Sequence, residues 1–162
     1  MVQPSLRPQD VFVLAKLLSY KGRRPPMAQM SVDLSISSSE VHAALKRLVL
    51  ARLVSGDAEG NRPLIEAVQE FLVHGVKYAF PAKRGEVTRG VPFPEGEHRG
   101  VTLEPLYKSA PAAALRDPFL YELLALIDAL REGRVRERKL AEKELIARLR
   151  PSLHERSESQ AT

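Results

Sequence analysis

Apolar residues recur at helical spacing in separate stretches along this chain, and Gly, Pro and Ser mark where each stretch stops. Pro8 suits the first position of a helix, because its ring already holds the φ a helix needs. Val11, Leu14, Ala15 and Leu18 then form one stripe, and Gly22 with Arg23-Arg24-Pro25-Pro26 ends it. A second, shorter helix carries Met27, Met30 and Leu34 at i, i+3 and i+7. Ser35 and Ile36 alone separate it from Ser37-Ser38-Ser39-Glu40, a capping-box pattern. A cap of this kind is worth about 1 kcal/mol, so the pattern predicts a helix starting at Ser38. Ile36 and Val41 sit where they can close a hydrophobic staple, and Val41, Leu45 and Leu48 continue as the buried stripe. So short a joint between the second and third helices makes them cross sharply.

Beyond the third helix the pattern changes. Leu53-Val54 reads as a short strand entering Ser55–Arg62, a turn bracketed by Gly56 and Gly60. Pro63 leaves little room for a returning strand, so a short, reduced β-wing is expected. Asn61 is a good N-cap for a following helix, whose apolar set Leu64, Ile65, Val68, Phe71, Leu72, Gly75 and Val76 runs to about Tyr78. Residues 81–117 are rich in Pro and Gly and read as an irregular arm. Asp117 and Pro118 are the cap and first residue of another helix, with Leu120, Leu123, Leu124, Ile127 and Leu130 on one wide face. Val135, Leu140, Ala141, Leu145, Ile146 and Leu149 mark a last helix, so residues 118–150 are expected to form a helical hairpin. The polar tail 151–162 is expected to be disordered. The expected fold is mainly α: a domain over 1–80, the arm over 81–117, the hairpin over 118–150 and the tail.

The face of the third helix opposite its stripe carries Ser38, Ser39, His42, Ala43, Lys46 and Arg47. Short polar side chains come first and cations follow, which is what a helix needs to approach base edges in a major groove. The stretch MSVDLSISSSEVHAALKRLVLARLV resembles the helix-turn-helix of bacterial winged-helix regulators of the MarR-like kind. Met30, Ser31, Leu34, Ile36, Ser37, Val41, Ala44, Leu45, Leu48, Ala51, Leu53 and Val54 fall on that pattern, and the resemblance covers about residues 8–62. Ser35 and Arg52 stand where the pattern has Gly, at positions that call for positive φ. The resemblance implies a winged helix-turn-helix with helix 38–51 as recognition helix. Ser38, Ser39, His42, Ala43 and Lys46 are then the candidate base contacts, and Arg23, Arg24, Arg47 and Arg62 the candidate phosphate contacts.

Charge supports this placement. The formal net charge is +5, and residues 1–62 hold nine Lys and Arg against five Asp and Glu, so most of the excess lies on the helix-turn-helix segment. Cysteine is absent, which excludes disulfides and thiolate metal sites and fits a cytoplasmic setting. No apolar run is long enough to span a membrane, and Gln3, Pro4, Arg7 and Asp10 interrupt the N-terminus, so no secretory signal is expected. The histidines, 42, 74, 98 and 154, have no metal-ligand spacing, and neither a G-x-S-x-G nor a phosphate-loop motif occurs. An enzyme, a metal and a cofactor are therefore not expected. Lys83-Arg84 and Arg89 are basic points of the arm, but the same arm carries Glu86, Glu95, Glu97 and Glu104, which argue against a strong basic arm.

The expected function is a sequence-specific DNA-binding transcriptional regulator, acting as a homodimer on double-stranded DNA. Two alternatives remain at this level. One is a protein-interaction module, an antitoxin or adaptor, that binds a partner through 118–150. The other is a structural winged helix with no DNA role.

Overall fold

The computed structural model describes residues 5–82 and 106–150. The described chain is mainly helical: α1 (Pro8–Ser19), α2 (Met27–Leu34), α3 (Ser38–Leu50), α4 (Ile65–Glu70), α5 (Val76–Ala79), α6 (Ala110–Arg116), α7 (Pro118–Glu132) and α8 (Val135–Leu149). A π-helical turn, Phe71–Gly75, joins α4 to α5.

α1 and α7 form the centre. In α1 the residues Val11, Phe12, Val13, Leu14, Ala15, Leu17 and Leu18 are all buried, many more than the single stripe the spacing suggests. The reason is that α1 is covered on two sides, by α3 and by α7. α7 buries every residue from Leu123 to Leu130, the pattern of a helix enclosed all round. It packs on α1, α5, α6 and α8. The expected C-terminal hairpin exists, but its first helix belongs to the same core as α1. Asp117 caps α7 as expected, accepting from the N–H groups of Phe119 and Leu120, both at 3.1 Å. α8 is more peripheral: Ala141, Leu145 and Leu149 make a narrow buried stripe, while Val135 and Leu140 are exposed.

Burying α1 means burying its charges, and each has a partner. Asp10 is fully buried and accepts two bonds from Arg47, both at 2.7 Å, and one from the Arg7 N–H at 2.9 Å. Lys16 donates to Asp117 at 2.8 Å, tying α1 to the cap of α7. The Asp117 carboxyl lies below its usual range: burial raises it, but bonds from Lys16, the Leu120 N–H and Ser19 together outweigh that. Tyr20 donates to Asp33 at 2.7 Å, joining α1 to α2.

Three departures from expectation have local causes. Residues 81–117 are not wholly irregular, because α6 lies within them. Its alanines give no amphipathic signature, and it exists because Ala110, Ala113 and Ala114 are small enough to pack closely in the core. Asn61 is not an N-cap. It is buried at φ 48°, donates to the Ser55 carbonyl at 3.1 Å, and leaves Leu64 as the residue preceding α4. The helix after Leu64 is not continuous α either, since the π turn inserts an extra residue between Phe71 and Gly75. A Cβ on Gly75 would lie 3.1 Å from the Phe71 ring, so the turn closes around that glycine.

Arg84, Arg89, Glu95, Glu97 and the tail 151–162 lie outside the described residues, as does most of the expected arm.

Candidate nucleic-acid interface

α2 and α3 are joined by Ser35, Ile36 and Ser37, and the two positions where glycine was expected adopt the backbone that glycine favours. Ser35 has φ 54° and Arg52 has φ 62°. Each closes the same hydrogen-bonded helix end. Ser35 and Ile36 donate to the carbonyls of Val32 and Ser31, and Arg52 and Leu53 donate to those of Val49 and Leu48. Leu48 and Leu53 are both buried, supplying the apolar contact that accompanies such an end. Ser31 Oγ donates to the Ile36 carbonyl and holds the turn from inside. Ser37 accepts from the Glu40 N–H at 3.3 Å, and its hydroxyl donates to the Glu40 carboxylate at 3.2 Å. The cap is thus formed from Ser37, while Glu40 binds its hydroxyl rather than its backbone N–H.

The buried stripe of α3 is Val41, Ala44, Leu45 and Leu48, which fixes what faces out. Ser38, Ser39, His42 and Lys46 are exposed and Ala43 is half-buried at the edge, so the candidate base contacts share one side of the helix. Lys46 and His42 make no ion pair with the described residues. α3 packs on α1 and α2 through its stripe, and its outward side is open to solvent.

The candidate phosphate contacts divide. Arg47 lies beside Ala44 at the border of the stripe and turns inward, where its guanidinium grips both oxygens of buried Asp10. The bond to Asp10 raises the Arg47 pKa further, and the contact fastens α3 to α1. Arg24 is also committed. It donates to Asn61 and to Asp57, each at 2.7 Å, and to the Pro25 carbonyl at 3.0 Å. In the folded chain the guanidinium groups of Arg24 and Arg47, both candidate phosphate contacts, are held by acceptors within the protein. Arg23 and Arg62 are exposed and carry no carboxylate partner among the described residues.

The turn between α3 and α4 is as short as Pro63 suggested. One antiparallel bridge, Val54 to Pro63, is its only β pairing among the described residues. The Ser55 N–H donates to the Arg62 carbonyl at 2.8 Å and the Leu64 N–H to the Leu53 carbonyl at 2.9 Å. Gly60, at φ 87°, sits under Arg23, where a Cβ would come within 2.5 Å of its Nε. Arg24 pins this tip to the segment between α1 and α2.

Sequence patterning missed two exposed cations near α3. Arg52 stood out only as a departure from glycine. Arg116 fell inside the apparent arm, just ahead of the Asp117 cap, and no apolar stripe marked the helix that it ends. It donates to the Asp33 carbonyl and to Ser35 Oγ, both at 3.2 Å, beside the α2–α3 turn.

At the other end of α3 an open apolar groove of about 420 Å³ lies between Leu6, Ala51, Leu53 and Phe71. Its ionisable lining residues, Glu70 and His74, are exposed. No cluster of three or more His, Asp or Glu able to hold a metal occurs among the described residues. None of their helices is long and apolar enough to cross a membrane. No family model, no curated protein and no solved structure matches the chain.

Proposed function

We propose that this chain is a winged helix-turn-helix DNA-binding protein and acts as a sequence-specific transcriptional regulator, with α3 entering the major groove. One observation carries the reading. The outward side of α3 presents Ser38, Ser39, His42 and Lys46 to solvent, with no acidic residue between His42 and Lys46 and, among the described residues, no ion pair consuming the lysine. Short hydroxyls near the helix start permit close approach, and Lys46 and His42 can donate to base acceptors. Arg23 and Arg62 then contact phosphate, supported by the neighbouring Arg52. The tip of the turn carries Asp57 and Glu59, so it adds little to affinity. As a homodimer the protein would read two half-sites about one helical turn apart.

The interaction-module reading loses most of its surface. α7 is enclosed by its own chain, so a partner on residues 118–150 would have to use the outer side of α8.

Selection of duplexes from a random pool by the purified protein, followed by a salt titration on the winner, tests the proposal. Enrichment of a defined sequence is expected, with log affinity falling against log salt by about 0.9 per neutralised phosphate. No enrichment and a flat titration would leave a structural module.

A further inference from the structure

With Arg24 and Arg47 held internally, the interface has lost two of the cations that sequence patterning gave it. Arg116 stands where it can replace one. It ends α6, and α6 is attached to the α2–α3 turn at two places. Ser109 donates to the Leu34 carbonyl at 2.7 Å, and Arg116 reaches the Asp33 carbonyl and Ser35 Oγ. These acceptors belong to the end of α2 and the turn that leads straight into Ser37 and the start of α3. A guanidinium also suits the C-terminal end of α2, whose last carbonyls carry partial negative charge.

Arg116 differs from Arg24 and Arg47 in what it touches. Their guanidinium groups meet carboxylates, whereas that of Arg116 meets a neutral carbonyl and a neutral hydroxyl, both through one terminal nitrogen. Its other N–H groups point to no described acceptor, and the side chain is exposed. The Asp33 carboxylate close by is already occupied, by Tyr20 on one oxygen and Gln29 on the other, each at 2.7 Å. The nearest acidic side chain on α3 is Glu40, which accepts from Ser37. A fixed, uncompensated fork of donors therefore sits beside the end of α3 that carries the candidate base contacts.

We infer that Arg116 is a phosphate anchor contributed from outside the helix-turn-helix, gripping the DNA backbone next to the α2–α3 turn while α3 occupies the groove. This rests on the DNA-binding reading above. An arginine can hold a phosphate through two parallel N–H bonds, and tethering one nitrogen to the turn leaves the others free to do so. The anchor would set the position of the helix start along the groove, and α6 would be the strut that holds it there.

The test is duplex binding by Arg116→Gln, Arg116→Lys and wild type, read as fluorescence anisotropy of a labelled mixed-sequence duplex over a range of salt. Glutamine keeps an N–H donor for the turn and removes the charge, and lysine keeps the charge. Wild type should show a salt-dependent affinity. Arg116→Gln should lower the log–log slope by about 0.9, so that a fourfold rise in salt weakens it about 3.5-fold less than wild type. Arg116→Lys should keep the wild-type slope. Equal slopes for wild type and Arg116→Gln would overturn the inference, whether or not affinity drops, because a residue that merely braces the turn changes affinity without changing the number of neutralised phosphates. A slope lowered equally in both variants would also overturn it, since the charge is then not what matters. If wild type itself shows no salt-dependent binding, the DNA reading fails and the anchor fails with it. Circular dichroism and thermal unfolding of each variant confirm that the comparison is between folded proteins.

Discussion

Lys46 and Arg47 are neighbours with the same charge, and the fold puts them in opposite situations. Lys46 faces water on the outward side of α3, while Arg47 is clamped by a carboxylate that is wholly buried. The same division occurs at Arg23 and Arg24. Arg23 lies exposed across Gly60, and Arg24 is bound by Asn61 and Asp57. In each pair the second cation holds two segments of the protein together and the first remains available. A run of basic residues is thus no measure of how much charge reaches a ligand. What decides is whether an acceptor, placed by a distant part of the chain, lies on the inward side.

Breaking that comparison at its strongest point means removing Arg47. Arg47→Ala leaves Asp10 buried without its main partner, and unfolding by denaturant should show a loss of about 3–5 kcal/mol. A loss below 1 kcal/mol would mean that the Asp10–Arg47 seam does not hold α3. The matching change on the outward side is Lys46→Ala. It should leave stability within about 0.5 kcal/mol of wild type and weaken binding to the selected duplex by about 1–3 kcal/mol. Unchanged affinity would show that the proposed orientation of α3 is wrong.

The second pair predicts a smaller contrast. Arg24→Ala should cost about 1 kcal/mol of stability through its bond to buried Asn61, measured by thermal unfolding. Arg23→Ala should leave stability within about 0.5 kcal/mol and reduce the salt dependence of binding instead. Equal effects of the two changes would erase the distinction.

A second buried carboxylate sharpens the point about partners. Among the described residues Asp128 is paired with Arg131 alone, through one N–H at 3.1 Å, and Arg131 is shared with the Phe80 carbonyl at 2.9 Å. Burial pushes the Asp128 carboxyl up to about 7, with Arg131 pulling it down less strongly than burial raises it. The folded protein therefore binds this proton more tightly than the unfolded chain does. That contribution to stability is complete below about pH 4 and is lost as pH rises through about 7. Unfolding measured across this window should show the decline, and Asp128→Asn should flatten it. A decline of the same size in the variant would assign it to other groups.

Local patterning determined a good deal of this protein. The starts of α1 and α7 follow from Pro8 and from Asp117-Pro118, and that of α3 from the Ser37 cap, because these features act within one turn of helix. The exposed set Ser38, Ser39, His42 and Lys46 follows too, since the period of the stripe leaves those positions outside. Even the positive φ at Ser35 and Arg52 was legible, as the backbone two tight helix ends require. Only the tertiary structure decided the rest. α6 has no stripe of its own and is helical because α2 and α7 receive it. The enclosure of α1 and α7 depends on which helices come to lie on their second sides. The split between Lys46 and Arg47 depends on Asp10, 37 residues away in the chain. The physical reason is range: a cap or a period is settled among neighbours, whereas the partner of a buried charge is chosen only when remote segments meet.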